Sequence, residues 1–165
     1  MQSWTAKAAP EGSTWAPGWD TNTGFGMSSD GLKLVGLVYN QRVSIVTSID
    51  GGETWIKSPT AADRDWAGIA LSADGQTLYG QAWDEAYGSF GIYRSHDAGA
   101  SWSLEFEAPS FTSLSTNANG SAFYGLISGG AGSFPFSSTM TSLTELKGTG
   151  AISLIYLGEN TFARQ

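Results

Sequence analysis

Side chains suited to gripping a sugar gather in the connecting segments of this 165-residue chain. Trp19 and Asp20 follow Pro17-Gly18, Arg42 follows Asn40-Gln41, Asp65 and Trp66 follow Asp63-Arg64, and Trp83, Asp84, Glu85 and Tyr87 fill one stretch ending at Gly88. Indole faces stack on the C–H faces of a sugar ring, while carboxylates, amides and guanidinium groups hold its hydroxyls. The same acids suggest a second chemistry. Hydrolysis of a glycosidic bond needs two facing carboxylates about 5–10 Å apart. Asp20, Asp63, Asp65, Asp84 and Glu85 are the candidates, and sequence spacing does not set that distance. A third use is plain packing, with the tryptophans between sheets and the acids keeping loops solvated. His96 is the only histidine, and the chain has no cysteine. Thiol nucleophiles, disulfides and His- or Cys-rich metal sites are therefore excluded. No catalytic residue, metal or cofactor is assigned.

Composition narrows the partners. The formal charge is −7, with eight Lys plus Arg and no basic cluster, which argues against nucleic acid and anionic membranes. No apolar run reaches transmembrane length and no charged-then-apolar leader is present, so membrane insertion is not expected. With 22 glycines, 13% aromatic and only 14% charged residues, the chain suits many short strands joined by tight turns.

The elements that would position those loops are repeated. Ser48-Ile49-Asp50-Gly51-Gly52-Glu53-Thr54-Trp55 returns as Ser95-His96-Asp97-Ala98-Gly99-Ala100-Ser101-Trp102, with the two aspartates 47 residues apart. That period belongs to solenoids and propellers. A carboxylate followed by glycines accepts hydrogen bonds from the backbone just downstream, so each copy reads as a self-capped turn. The closing tryptophan then enters the next strand, where burying its indole contributes on the order of 4–6 kcal/mol before entropy. Around each copy lie a strand, an Asp-Gly turn and a second strand: Phe25 to Met27, Ser28-Ser29-Asp30-Gly31, then Leu34 to Tyr39; and Trp66 to Leu71, Ser72-Ala73-Asp74-Gly75, then Thr77 to Gln81. A third repeat keeps Asn117-Ala118-Asn119-Gly120 and Phe123-Tyr124-Gly125. Where its box should stand, Ser137 to Leu143 lacks the Asp, Gly and Trp. A fourth begins at Ala151 to Tyr156 and turns at Gly158-Glu159-Asn160, while Ser3-Trp4 matches the tail of a box.

The S-x-D-x-G-x-[ST]-W pattern, Ser48, Asp50, Gly52, Thr54 and Trp55 and again Ser95, Asp97, Gly99, Ser101 and Trp102, resembles the Asp-box or BNR repeat of sialidase-like, sortilin-like and xyloglucanase-like propellers. The resemblance implies an all-β fold: β-propeller blades of four antiparallel strands with Asp-box turns, about three and a half blades in the chain. The expected division is a partial blade at 1–20, blades at 21–62 and 63–108, a degenerate blade at 109–148 and a partial blade at 149–165. The boxes are structural in this reading, because a carboxylate committed to backbone donors is a poor proton shuttle. In such propellers the box turns lie on one face and the inter-blade and second-to-third-strand connections on the other. That arrangement gathers Trp15, Trp19, Asp20, Asn40, Arg42, Asp63, Arg64, Asp65, Trp66, Trp83, Asp84, Glu85 and Tyr87 on or near the loop face.

The family mixes enzymes with binders, so the fold leaves activity open. Sialidases of this kind use three arginines for the substrate carboxylate. Here the arginines are 42, 64, 94 and 164, and no Arg-Ile-Pro segment stands near the start. The expected function is a non-catalytic module binding a carbohydrate or protein through its loop face, in a secreted or extracytoplasmic setting. The alternatives are a piece or subunit of a glycoside hydrolase and a structural repeat in an extracellular assembly. Because an open blade leaves an apolar flank in water, self-association or further blades are expected to close the ring.

Overall fold

The computed structural model describes residues 6–16, 24–59, 64–85, 88–108, 110–129, 132–139, 154–156 and 162–164. The described residues form strands and turns alone, in four antiparallel sheets that resemble propeller blades. The first sheet contains β1 (Thr14–Trp15), β2 (Phe25–Met27), β3 (Leu34–Asn40), β4 (Arg42–Ser48) and β5 (Ile56–Lys57). The second runs in simple order through β6 (Asp65–Leu71), β7 (Leu78–Asp84), β8 (Ser89–Ser95) and β9 (Ser103–Ala108). The third holds β10 (Phe111–Thr116), β11 (Ala122–Gly129) and β12 (Gly132–Thr139), and β13 (Leu154–Tyr156) pairs with β14 (Phe162–Arg164). Ser137 to Thr139, at the head of the decayed box, continue β12 opposite Ala122 to Tyr124. The remainder of that segment, and Ser3-Trp4, lie outside the described residues.

One boundary moves. The first sheet takes in Thr14–Trp15, which pairs with Tyr39 and Val38, so its inner strand starts before residue 21. β1 and β2 pair with the same side of β3, where Ala16 N–H donates to Leu37 O and Leu37 N–H donates to Gly24 O. The second and third sheets have a bulge at the same place, Trp66/Gly68 and Phe111/Ser113. The inner strands of the second and third blades therefore share one irregularity at equivalent positions.

Alternation along the strands gives each blade two faces. The near face of the second blade presents Trp66, Ile69, Leu78, Ala82 and Tyr93, and packs on Val35, Leu37 and Ile45 of the first. Its far face presents Ala70, Tyr79 and Ile92 to Phe111, Leu114 and Phe123 of the third. The side chain of Gln81 completes this contact inside the core: its Oε1 accepts Phe111 N–H at 2.7 Å. On every near face an aromatic ring of the inner strand lies over a glycine of the next strand. A Cβ on Gly36, Gly80 or Gly125 would come within 3.0 Å of Trp15, Trp66 or Phe111 respectively, which is why no larger residue stands there.

One end of the first and second blades is closed by turns that satisfy themselves. Ser48 Oγ donates to Asp50 Oδ1 (2.8 Å) and accepts Gly52 N–H (2.9 Å); Asp50 accepts Thr54 N–H (2.9 Å) and Thr54 Oγ–H (2.6 Å). The second box repeats these bonds through Ser95, Asp97, Gly99 and Ser101, at 2.8, 2.8, 2.8 and 2.5 Å. Gly52 and Gly99 hold φ of 88° and 90°, a conformation other residues resist. Trp55 and Trp102 each return an indole N–H to the carbonyl of that glycine, at 3.2 Å.

Candidate functional site

The end opposite the boxes carries the β3–β4 and β7–β8 hairpins and the start of β6. Asn40 and Arg42 pair across Gln41, which turns alone with a φ of 64°. This tight hairpin aims Arg42 across the blade junction, and its Nη2 meets Glu85 Oε1 at 2.9 Å with both groups exposed. Asp65 Oδ1, at the head of β6, accepts Val43 N–H at 3.0 Å and ties the second blade to the hairpin of the first.

Beneath this exposed bridge lies a drier cluster. Tyr93 O–H donates to Asp84 Oδ2 at 2.6 Å, Arg64 Nε stands 3.7 Å from the same oxygen, and the Arg64 guanidinium lies 4.3 Å over the Tyr93 ring. Burial and the bond to the Asp84 carboxylate push the Tyr93 hydroxyl above its ordinary value, so Tyr93 stays a protonated donor. The Asp84 carboxylate is thereby held between a phenol and a guanidinium.

Trp83 faces the other way. Alternation places Asp84 toward the first blade and Trp83 toward the third, where its ring is 39% exposed and meets Phe90 edge-on at 5.2 Å. An indole so braced is a half-exposed apolar plate beside an acidic rim.

Placed in three dimensions, the expected site residues separate. Arg42, Asp65, Asp84 and Glu85 come together at the junction of the first two blades, and Trp83 stands on the third-blade side of the same strand end. Trp66 does not belong to this surface. It is 2% exposed and packs against Trp102 (4.8 Å) and Tyr93 (5.6 Å) as part of the inter-blade core. The bulge after it displaces the register, so a residue next to the exposed Asp65 points inward. Trp15 is its counterpart in the first blade, lying over Gly36 and against Trp55 at 5.0 Å. Trp19, Asp20, Asp63 and Tyr87 lie outside the described residues. Tyr93 and Phe90 are the partners that sequence reading missed. Tyr93 stands two residues before the box serine Ser95, which fixes it on the near face; only the position of that face against Arg64 gives it a role.

No protein-family model matches the chain, and no curated protein matches it. Solved structures do. A chain in the crystal structure of a nidogen/laminin complex is similar at a TM-score of 0.54 and 17% identity, over 70% of this chain and 43% of that one. TolB from Acinetobacter baumannii is similar at 0.55 and 14% identity, over 86% of this chain and 31% of TolB. An ancestral GH74 enzyme matches at 0.46 and 16% identity, over 84% of this chain and 18% of the enzyme. The first two likenesses show the β-propeller fold, and the chain spans less than half the length of either protein.

Proposed function

We propose that this chain is an Asp-box (BNR-repeat) propeller module that binds a glycan without cleaving it, at the loop face around the ends of β6 and β7. The observation that carries the reading is Trp83, an indole 39% exposed, braced by Phe90 and followed directly by Asp84 and Glu85. Stacking on such a plate is favourable because the ring is already immobilised, so little side-chain entropy is lost on binding. Glu85, Arg42 and Asp65 provide hydrogen-bonding groups for sugar hydroxyls at the rim. The non-catalytic part of the reading rests on how the described acids are engaged. Asp84 faces Tyr93 and Arg64, Asp65 holds a backbone N–H, and Glu85 pairs with Arg42. A glycosidase needs two carboxylates free to face one bond, and each of these acids is already engaged by a neighbour.

Tryptophan fluorescence titrated with a panel of neutral and acidic oligosaccharides tests this. At least one class is expected to shift the emission saturably, and Trp83→Ala is expected to abolish the shift while leaving the melting temperature within a few degrees. Saturable binding that survives Trp83→Ala, or no response to any glycan, overturns the assignment.

A further inference from the structure

The glycine beneath each inner-strand ring gives the blades a common origin: Gly36 under Trp15, Gly80 under Trp66 and Gly125 under Phe111. The far-face positions on either side of it are Val35 and Leu37 in the first blade and Tyr79 and Gln81 in the second, and all four are buried. Three residues past the glycine the same face ends differently. Tyr39 stands there on β3 and Trp83 on β7, and they are 48% and 39% exposed. Their registers agree as well. Tyr39 is paired with Thr14 on the inner strand and Val43 on the third, and Trp83 with Asp65 and Phe90. Packing between blades thus closes over the middle of both second strands and leaves an aromatic ring half out of water at each loop end.

The fold itself does not ask for that ring. The glycine recurs in all three blades because an aromatic lies over it, whereas the position three residues on is Ser128 in the third blade. Tyr39 and Trp83 project from far faces of consecutive sheets, so they point the same way around the arc. Face-packed sheets stand roughly 10 Å apart, which sets the separation of the two rings. Between them, in blade order, come the exposed Arg42–Glu85 pair and Asp84 on the first-blade side of β7. A single sugar ring covers one such plate, and a chain of about three rings is needed to reach both across that sheet spacing. The charge at this end is also informative. The guanidinium groups described here are matched to carboxylates, Arg42 to Glu85 and Arg64 to Asp84, and Asp65 adds a further acid. The connecting segments 17–23, 60–63 and 86–87 contain Asp20 and Asp63 and no lysine or arginine. An acidic sugar would meet an excess of its own charge.

Building on the glycan-binding reading of Trp83, we propose that Tyr39 is a second stacking residue and that the ligand is a linear, uncharged oligosaccharide laid across the ends of the first two blades from Tyr39 to Trp83. The terminal rings of the bound stretch stack on the two aromatics, and the hydroxyls between them meet Arg42 and Glu85.

The test reads Trp83 emission during titration with cello-oligosaccharides and manno-oligosaccharides, from disaccharide to hexasaccharide, and with oligogalacturonates of the same lengths. In at least one neutral series affinity is expected to rise about tenfold or more once the chain reaches both rings, because the second contact then forms within one complex. Tyr39→Ala is expected to remove that rise, so that the hexasaccharide binds no better than the disaccharide, while disaccharide affinity and the melting temperature stay close to the parent's. Tyr39→Leu, which keeps apolar bulk without a flat ring, is expected to behave as the alanine variant does, and Tyr39→Trp to keep the rise. Affinity independent of chain length, or a rise that survives Tyr39→Ala and Tyr39→Leu, overturns the proposal and leaves the Trp83 reading standing. Tighter binding of the oligogalacturonates overturns the uncharged ligand. If no series moves the emission, the proposal falls together with the reading it rests on.

Discussion

The first and second blades carry the same box, the same inner turn and the same pair of tryptophans over a glycine, yet they bury that pair differently. In the second blade Trp66 and Trp102 are roofed by Val35, Leu37 and Ile45 of the first, and Trp66 is almost wholly out of water. In the first blade Trp15 and Trp55 meet at a similar distance, 5.0 Å, but Trp15 is only partly buried and sends its indole N–H to Lys7 O at 3.0 Å. Local motif and local geometry are alike; the environment is set by the neighbouring blade. In a repeat architecture, the stabilisation a residue provides therefore depends on what docks against it.

The largest effect expected from this comparison is in the core. Trp66→Ala should cost about 3–5 kcal/mol, through lost burial and the cavity left above Gly80. Trp15→Ala should cost about 1–2 kcal/mol in dilute solution, because half-exposed surface is worth less. Urea unfolding followed by circular dichroism measures both, and equal costs would break the distinction between the blades.

A smaller difference lies between the boxes. Ser58, buried at the end of the first blade, donates its hydroxyl to Gly99 O and accepts Trp102 Nε1–H at 3.2 Å, so the second box is fastened to the first blade by a side chain. The first box is reached instead by an exposed ion pair, Lys7 Nζ to Glu53 Oε1. Ser58→Ala should cost about 1 kcal/mol, read as a lower urea midpoint at unchanged slope. A neutral result would mean that the clasp follows from blade packing rather than strengthening it.

How far the sequence reached divides along the same lines. Both boxes were legible because the serine and aspartate side chains of each bond within its own eight residues. The Asp-Gly turns were legible too, and the third keeps its shape with asparagines. Asn119 Oδ1 accepts Ser121 N–H at 3.0 Å, as Asp30 and Asp74 accept Leu32 and Gln76 N–H. What sequence could not show depended on register or on contacts far along the chain. Trp66 turns inward because of a one-residue bulge, which no alternation pattern announces. Trp15 joins the first sheet across an interruption of several residues. Arg64, Asp84 and Tyr93 meet only after two connections have been laid on one end of the blade.

Acid tests whether the boxes are equal apart from their surroundings. Hydrogen bonds from Thr54 hold Asp50 at about 2, and those from Ser101 hold Asp97 at about 2, against an ordinary 3.8. Asp30 and Asp74 are lowered as well, by their serines first. A carboxyl depressed in the fold lends its stability in full above about pH 4 and loses it as pH falls through 2. The melting temperature should hold from pH 7 to 5 and drop between about 4 and 2. Asp50→Asn and Asp97→Asn should each lower it by a few degrees at pH 7 and flatten the acid limb to the same extent. Unequal flattening would show that the neighbouring blade reaches into the box itself.

The smallest expected stability effect is at the loop face, where the blades differ most in sequence. Arg42 and Glu85 span the junction as an exposed pair, and such pairs contribute about 0–1 kcal/mol in water, less as salt screens them. Arg42→Ala should shift the urea midpoint barely at low salt and not at all at 0.5 M. If the same substitution weakens glycan binding several-fold, Arg42 belongs to the recognition surface rather than to the blade junction. The opposite result, a destabilisation rivalling Ser58→Ala with binding intact, would make Arg42 a junction residue and confine recognition to the Trp83 side of the strand end. The repeat makes this the informative place to look. Where three blades solve the same packing problem, recurrence reports the fold, and a side chain that no blade repeats and no core requires is open to being shaped by a ligand.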